Sequence, residues 1–421
     1  MSNLVSDGWK KVTLNQVVDR IRTIVNGEPE NVLTISSTGG WVDQRQKWAR
    51  DMAGESLKKY THLEAGELSY NRGNSKTYPY GCVFKLKNWT SAAVPNVYHS
   101  FRTKEDMIDA SFIEYAFHSG VFDKQLSQII TSSARANGLL NITAKDFFDL
   151  ELLVPPLPEQ KKIAAILTSV DDVIEKTQAQ IDKLKDLKTG MMQELLTRGV
   201  GVDGKPHTEF KDSPVGSIPK GWEVRYLADC CSKMTNGYVG STRDIYVDKG
   251  VDYVLCQNVR PNVFVEKTHK YVRQEFHQKN MRACLQEGDV LTVQTGAGNG
   301  DTCVVPKSYE GANCHALIIS RPKKEILNPY FLAEYMNSDQ GKQRVSIIAT
   351  GGAHPHLNTT DLRREIIPFP PIEEQNKMVN SLRAVQKKYI LLEDKKKKLE
   401  ATKKALMQDL LTGKVRVKVD S

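Results

Sequence analysis

The sequence predicts an α+β protein with an internal repeat, in which two mixed α/β domains are separated by two long antiparallel coiled-coil helices. The main observation is a duplication: residues 155–200 return as residues 370–415 without a gap, and 16 of the 46 aligned positions are identical. Both copies have apolar residues at heptad spacing, and both follow a segment of mixed strand and helix character. The repeat therefore indicates two copies of one unit, related by a pseudo-twofold axis.

The first mixed segment comprises residues 1–154. The run Tyr80–Leu86 is typical of a strand, and Ala110–Leu126 is typical of a helix. A central helix follows over residues 155–200. Residues 201–220 are rich in proline and glycine and predict a linker.

The second mixed segment comprises residues 221–369, followed by a distal helix over 370–415 and a short tail over 416–421. Identity between the two mixed segments is low, yet their outlines agree. Four features recur in the same order. Each segment begins with Gly-Trp (Trp9, Trp222) and then has a Gly-acid-aliphatic pattern before a strand (Gly66–Leu68, Gly288–Val290). A late helix follows (Phe112–Leu126, Phe331–Val345), and after it a small polar loop (Ser132–Gly138, Thr350–Pro355). A shared scaffold with different loops suits two domains that recognise different things.

Each repeated helix follows a Pro-Pro pair that ends the preceding strand. Pro158 is tolerated in a first helical turn, and Glu159 and Glu373–Glu374 favour the positive end of the helix dipole. Thirty-eight residues at 1.5 Å each would make a rod of about 57 Å.

A helix–helix seam is predicted from the heptad spacing of both copies. Its polar members, Thr177, Lys188, Lys396 and Lys403, are costly to bury unless they reach water or an acid. The predicted apolar seam residues are Leu167, Val170, Ile174, Ile181, Leu184, Met191 and Leu195 in the first helix, and Leu382, Val385, Tyr389, Leu392, Leu399, Leu406 and Leu410 in the second.

The net charge is +9, and its distribution is uneven. Residues 373–418 carry 13 basic and 6 acidic side chains, a net of +7, so the surplus lies in the second helix. The run Lys395–Lys398 is consistent with a solvated helix face, or with contact to DNA backbone or an acidic partner. The two mixed segments are nearly neutral, so any nucleic-acid binding by them needs localised contacts.

Composition is that of a globular protein, with 40% hydrophobic and 26% charged residues. No apolar run is long enough for a transmembrane helix, and the N-terminus does not resemble a signal peptide. The seven cysteines include no Cys-x-x-Cys pair, so we expect reduced thiols and a cytoplasmic protein.

The sequence offers little support for an enzymatic site. The sequence has no P-loop, and the run Gly296–Gly300 favours a hairpin or loop over a phosphate site. It also lacks the Asn/Asp-Pro-Pro-aromatic tetrapeptide of amino-methyltransferases. Glu393-Asp-Lys395 has a nuclease-like spacing, but it lies inside the heptad pattern. No metal site is expected, and His354-Pro-His356 is consistent with loop structure, DNA contact or, least, a metal.

Polar loops with amide, basic and aromatic side chains remain as candidates for DNA contact. Arginine suits guanine, and asparagine and glutamine suit adenine, in the major groove. The candidate DNA-binding residues are Arg45, Lys47, Asn71, Arg72, Lys76, Tyr78, Arg135 and Asn137 in the first segment, and Tyr238, Arg243, Asn258, Arg260, Gln294, Thr295, Asn299, His354 and His356 in the second.

The duplicated signature Pro-Pro-x-x-Glu-Gln … Leu-Leu-Thr resembles that of the specificity subunit of type I restriction-modification systems. The resemblance runs from Trp9 to Val415. It implies two target-recognition domains, each reading one half of a split, asymmetric DNA sequence, and two helices that set the gap. It also implies docking of two modification (methyltransferase) subunits and two restriction (translocase-nuclease) subunits.

The same resemblance implies a chain without catalytic residues or cofactors of its own. S-adenosylmethionine, ATP and magnesium are then expected on the partner subunits, which methylate adenine N6 and cleave DNA. Two other classes of function stay open from the residues alone: a coiled-coil adaptor that binds only proteins, and a self-sufficient nuclease fused to its own reader.

Overall fold

The computed structural model describes residues 8–27, 29–36, 39–44, 54–73, 75–130, 139–201, 204–266, 269–349 and 356–419. The chain forms two compact units: unit 1 comprises Met1–Ala179 and Glu393–Ser421, and unit 2 comprises Gln180–Leu392. Each unit therefore combines one mixed segment with part of both long helices. Strands and helices occur together in each unit, which confirms the predicted α+β class.

Unit 1 contains short strands and helices followed by the start of the first long helix. Its strands are β1 (Lys10–Thr13), β2 (Val18–Arg20), β3 (Leu33–Ile35), β4 (Trp41–Asp43), β5 (Thr61–Glu64), β6 (Leu68–Asn71), β7 (Cys82–Lys85), β8 (Ser91–Val94), β9 (His99–Thr103) and β10 (Glu151–Val154). Its helices are α1 (Leu14–Val17), α2 (Ala110–Ser119), α3 (Asp123–Ile129), α4 (Ala144–Phe148) and the first part of α5 (Leu157–Arg198).

Unit 2 follows the same outline with additional short strands. Its strands are β11 (Phe210–Lys211), β12 (Ile218–Pro219), β13 (Glu223–Tyr226), β14 (Cys231–Asn236), β15 (Tyr246–Val247), β16 (Val251–Val254), β17 (Val259–Arg260), β18 (Val263–Phe264), β19 (Tyr271–Val272), β20 (Val290–Val293), β21 (Thr302–Val304), β22 (Asn313–Cys314), β23 (Leu317–Pro322) and β24 (Ile366–Phe369). Its helices are α6 (Leu227–Cys230), α7 (Gln274–Lys279), α8 (Pro329–Asn337), α9 (Asp339–Ile348), α10 (Thr359–Arg363) and the first part of α11 (Ile372–Leu410).

A four-stranded antiparallel sheet of the same topology occurs in both units. Its strand order is β2-β9-β6-β7 in unit 1 and β14-β23-β20-β21 in unit 2. The acid that precedes the third strand is buried in each sheet and pairs with an arginine of the adjacent strand. Glu67 lies 3.0 Å from Arg102, and Asp289 lies 2.7 Å from Arg321. The Gly-acid-aliphatic pattern therefore marks equivalent positions, as predicted.

The late helix of each mixed segment is divided in two, so the prediction of one continuous helix there is wrong. Gly120 separates α2 from α3 with a φ of 82°, and a Cβ at this position would lie 2.9 Å from Asp123 Oδ2. In unit 2, Ser338 ends α8 and caps α9 by accepting a hydrogen bond from the Gly341 N–H. A left-handed glycine and a serine N-cap each interrupt a helix for a local reason.

The predicted linker, residues 201–220, is partly packed on unit 2. Strand β11 pairs with β12, and Val215 and Ile218 are buried in the core of the unit. Burying these two apolar side chains removes them from water, which favours an ordered segment.

The two long helices are continuous over 42 and 39 residues. Their halves run antiparallel within each unit. In unit 1, Asp171 of α5 pairs with Lys403 of α11, and earlier on α5 Glu159 pairs with Arg416. In unit 2, Lys188 bonds Gln386, and the earlier Lys185 lies over the ring of Tyr389.

The predicted seam positions lie on the shielded side of the long helices. All fourteen apolar seam residues are buried or half-buried, and Leu167, Ile181, Leu382 and Leu410 are the buried ones. The polar positions are also shielded, since Thr177 is buried and Lys188, Lys396 and Lys403 are half-buried. Each of these lysines lies within 4.0 Å of a carboxylate oxygen, so its charge is compensated.

The glutamine of the Pro-Pro-x-x-Glu-Gln motif joins each mixed segment to its long helix. The buried Gln160 amide accepts a hydrogen bond from the Asp109 N–H and donates to the carbonyls of Met107 and Pro155. The three equivalent bonds of Gln375 are made with Asn328, Ile326 and Pro370. Because Asp109 and Asn328 cap α2 and α8, this joint fixes the start of a domain helix against the start of a long helix.

Among the helices that the structure describes, none combines the length and the apolar character required to cross a bilayer.

Candidate nucleic-acid interface

In unit 2, the turn after β20 pairs with the segment after the small polar loop. Thr295 and His356 form an antiparallel bridge, and the Leu357 N–H donates to the Gln294 carbonyl over 2.9 Å. Asn299 donates from Nδ2 to the same carbonyl over 2.8 Å, which holds the glycine-rich turn. The run Gly296–Gly300 therefore lies in a hairpin turn, as predicted.

Unit 1 has the same arrangement at the corresponding place. Gly73 and Leu139 form an antiparallel bridge, and the Leu140 N–H donates to the Arg72 carbonyl over 2.9 Å. We call these paired segments the loop junctions: residues 72–73 with 139–140 in unit 1, and residues 294–295 with 356–357 in unit 2. Arg72 and Gln294 occupy equivalent positions, as do Gly73 and Thr295.

Several candidate residues near the junctions are accessible. Lys76, Thr295 and His356 are exposed, and Asn71 and Asn299 are half-buried. Asn71 accepts a hydrogen bond from the Gly73 N–H, which shapes the turn. The junctions and the residues beside them thus present polar side chains close to backbone that is fixed by hydrogen bonds, an arrangement suited to base-edge contacts.

Three other candidates are engaged inside their unit. Arg72 donates to the carbonyls of Val97 and Ile142. Gln294 is 3% exposed and donates to Asn236 Oδ1. Asn258 is fully buried, accepts from the Leu255 N–H and donates to the Val265 carbonyl. Buried amides of this kind hold a loop in place, so Asn258 and Gln294 do not present their amides to a base edge.

The remaining described candidates lie beside the junctions or apart from them. Tyr78 is half-buried and packs edge-on against Phe84 at 6.0 Å. Tyr238 packs edge-on against Phe276 at 4.9 Å, and Arg243 is exposed a few residues later. Arg260 is exposed on the separate β17–β18 hairpin.

Five candidates, Arg45, Lys47, Arg135, Asn137 and His354, lie outside the described residues.

Two exposed arginines of unit 1 were not predicted. Arg20 and Arg22 flank the buried Ile21 at the end of β2. Burial and then the charge of Arg22 lower the pKa of the Arg20 guanidinium. Burial, followed by the charges of Arg72 and Arg20, lowers the pKa of the nearby His99 to about 4. The three arginines therefore lie in one basic region, which the i, i+2 spacing of Arg20 and Arg22 could have indicated.

The described cysteine thiols are free of disulfides. Burial raises the pKa of Cys82, Cys231 and Cys303 to about 12 and that of Cys230 to about 11. Thiols with such values are poor nucleophiles at neutral pH. No group of three or more His, Cys, Asp or Glu side chains that could hold a metal ion occurs within the described ranges.

The duplicated α+β units, their paired polar loops and their long helices agree with the architecture of one class of DNA specificity protein. The model of the family described as "Type I restriction modification DNA specificity domain" matches residues 72–186 and 219–401. These stretches make up most of the chain, so the chain belongs to this family.

Two relatives illustrate the similarity in sequence. The type I restriction enzyme MjaVIII specificity subunit of Methanocaldococcus jannaschii is 27% identical over 320 residues, which are 75% of this chain and 72% of the relative. The EcoKI specificity subunit of Escherichia coli is 22% identical over 284 residues, 65% of this chain and 58% of the relative.

Solved structures show the similarity in fold. The S subunit of a type I restriction-modification system from M. genitalium matches with a TM-score of 0.61 and 13% identity, covering 98% of this chain and 97% of that one. A chain from a study of complex assembly and conformational transition of the type I R-M system matches with a TM-score of 0.51 and 16% identity, over 98% and 100% of the two chains. At these identities the likeness supports the fold alone.

Proposed function

We propose that this specificity subunit reads a bipartite, asymmetric DNA target, with one half-site for each unit. The observation that carries the proposal is the pair of loop junctions, which have the same backbone pairing and different side chains. Unit 1 presents Asn71 and Lys76 with Arg20 and Arg22 nearby, whereas unit 2 presents Thr295, Asn299 and His356. Equal scaffolds with unequal reading residues suit two different half-sites.

The proposal includes partner subunits that dock on the long helices. Two modification subunits and two restriction subunits would supply the chemistry, with S-adenosylmethionine, ATP and magnesium bound to them. This chain would contribute recognition and no catalytic residue. In support, the exposed face of α11 is strongly basic around Lys395–Lys398 and offers charge complementarity to an acidic partner surface.

The target is found first by sequencing the methylome of the host with and without this chain. We expect one methylated motif with two specific halves around a non-specific gap to disappear with the chain. A duplex carrying that motif then serves in gel-shift measurements with the purified chain. Scrambling either half should abolish the specific complex.

Variants of exposed side chains at or beside each junction connect each unit to its half-site. We expect R22A/K76A to weaken binding and change base preference in one half only, and T295A/H356A to do so in the other. Losing one base contact raises Kd by about 5- to 150-fold, since such contacts contribute roughly 1–3 kcal/mol.

Matched controls are K124A in unit 1 and K307A in unit 2, because both lysines are exposed and neither belongs to a junction or to the polar and basic residues named beside it. Binding that is indifferent to both half-sites would contradict the proposal and favour a protein-only adaptor. Cleavage or methylation of DNA by the purified chain alone, with magnesium and S-adenosylmethionine present, would contradict its non-catalytic role.

A further inference from the structure

Lys188 and Lys403 occupy the same position of the repeated helix, and each meets a polar cluster in its own unit. Both side chains are 22% exposed. A half-buried ammonium needs an acid or water to offset its lost hydration. The carboxylate that pairs with the lysine lies on a long helix in unit 1 and on a domain helix in unit 2.

In unit 1 the acid belongs to the long helix. Lys403 Nζ lies 2.6 Å from Asp171 Oδ1. The domain helix α2 contributes Tyr115, whose hydroxyl donates to Asp171 Oδ2 over 2.8 Å and whose ring centroid lies 5.3 Å from the ammonium. Lys403 is therefore matched by one carboxylate and one neutral phenol.

In unit 2 the acid belongs to the domain. Lys188 Nζ lies 2.9 Å from Gln386 Oε1, and Gln386 is the repeat equivalent of Asp171. The carboxylate of Glu334 on α8 lies 4.0 Å from the ammonium and accepts a hydrogen bond from Asn262 Nδ2 over 2.6 Å. Glu334 and Tyr115 are each the sixth residue after the cap of their helix, so they are equivalent positions.

If each domain packed on the helix halves of the other unit, the charges in both clusters would no longer match. With the first domain on the helices of unit 2, Lys188 would meet a phenol and an amide and no acid. With the second domain on the helices of unit 1, Lys403 would meet two carboxylates. Both outcomes bury uncompensated charge, which costs more than the native one-to-one match.

The repeated glutamate of the Pro-Pro-x-x-Glu-Gln motif also has different partners in the two units, most of them at the helix ends. The buried Glu159 is paired by the Arg416 guanidinium, with both distances 2.7 Å. Its repeat equivalent, Glu374, accepts hydrogen bonds from the N–H groups of Val200 and Gly201 and from the Trp222 indole. Equivalent carboxylates thus have partners that cannot replace one another.

We propose that these clusters are a charge-matching code that makes each recognition domain pack on its own pair of helix halves and disfavours the exchanged arrangement. The apolar seam and the glutamine joint are alike in both units, so they would not by themselves decide which domain packs on which pair of helix halves. The charged clusters make that decision. Its residues are positioning residues.

The test is a cycle of exchanges in the full-length chain. The pair Y115E/E334Y exchanges the domain residues, and the pair D171Q/Q386D exchanges the helix residues. Each pair alone gives one lysine two acids and the other none, whereas the fourfold variant restores one acid to each lysine. We expect each pair to lower the thermal midpoint by about 3–8 °C and to reduce refolding yield from urea.

The fourfold variant should recover at least half of either loss. A fourfold variant whose losses equal the sum of the two pairs would overturn the proposal, because shape and not charge would then decide the packing. The measurement involves no DNA, so its failure is distinct from failure of the half-site experiment.

A near-isosteric cycle covers the case in which Y115E/E334Y does not fold. D171N leaves Lys403 without a carboxylate and should lower the midpoint, and adding K403M should restore most of the loss. The exposed neighbour gives the control D172N, which should have little effect. Equal effects of D171N and D172N, or no restoration by K403M, would also overturn the proposal.

Discussion

Glu374 illustrates how one side chain organises the end of a helix. Its buried carboxylate accepts hydrogen bonds from two backbone N–H groups, from the Trp222 indole over 3.0 Å and from His207 Nε2 over 3.0 Å. Gly199 passes so close that a Cβ there would lie 2.3 Å from Glu374 Oε1, and its φ of 65° also favours glycine. The carboxylate therefore ties the end of α5 to the start of α11 within unit 2.

We expect E374A to be strongly destabilising, by about 3–5 kcal/mol, because it leaves several buried donors without an acceptor. The measurement is the free energy of unfolding in urea. E373A is the matched control, since Glu373 is adjacent and exposed. Similar losses from the two variants would contradict the role given to Glu374.

His99 gives unit 1 a defined dependence on pH. It is 6% exposed and its ring lies 5.4 Å from that of Phe147. Burial, first of all, lowers its pKa to about 4, whereas an unfolded histidine titrates near 6.5. Between these values the unfolded chain binds more protons than the folded one.

The part of the free energy of unfolding that depends on His99 is therefore at its full value above about pH 6.5. It falls by roughly 2–3 kcal/mol as the pH is lowered toward 4. We expect H99Q to reduce the slope of the free energy of unfolding against pH, measured from pH 7 to 4, because the His99 contribution is then absent. The variant H62Q serves as a control and should keep the slope. An unchanged slope in H99Q would contradict the assignment.

At the scale of the element, each long helix buries one face and exposes the opposite one. Leu167 is fully buried and belongs to the core of unit 1, together with Met407 and Leu410 of the other helix. Val173, six residues on, is 39% exposed. The same helix thus provides a core site and a surface site.

We expect L167A to lower the free energy of unfolding by about 2–4 kcal/mol, through lost burial and a cavity. V173A should cost less than about 1 kcal/mol, since much of its side chain already contacts water. Denaturant titration of both variants is the measurement. Comparable costs would mean that the heptad face is not the packed one.

The long helices could be predicted because duplication and heptad spacing are properties of the sequence itself. The division of the late helices depended on Gly120 and Ser338, whose local signals were present but outweighed by the apolar pattern around them. The packed linker was missed because proline and glycine dominate residues 201–220, whereas Val215 and Ile218 determine their burial.

At the scale of the whole molecule, the repeat keeps a helix and its joints and varies the loops. The proposed function then makes helix length a determinant of the gap in the target. Inserting four residues within 170–190 adds about 6 Å of helix. The insertion is close to one turn, so it largely preserves the seam.

We expect the insertion to change the gap by one or two base pairs, at about 3.4 Å each, and to leave both half-sites unchanged. Methylome sequencing of a host carrying the variant is the measurement. A control insertion of four residues between Asp212 and Ser213, in the β11–β12 connection, should leave the gap as it was. An unchanged gap in the first variant would refute the idea.

Which way a polar side chain points was the part of the interface that the sequence did not reveal. Asn258 and Gln294 carry the amide groups that are typical of base-reading residues, yet these amides make buried hydrogen bonds within the unit. Arg20 and Arg22 were not predicted because they lie at the end of a strand and just beyond it, and not in a polar loop. The composition of the loops indicates which region could contact DNA. Hydrogen bonds in the folded chain determine which side chains of that region are exposed.

The glutamine joints have a consequence for how the protein responds to ionic strength. Gln160 and Gln375 hold the domain helices through uncharged amide and peptide groups that are buried from solvent. Dissolved ions screen exposed charges and compete for phosphate, but they have little effect on such bonds. Added salt should therefore release DNA from the protein well before it loosens a recognition domain from its helix.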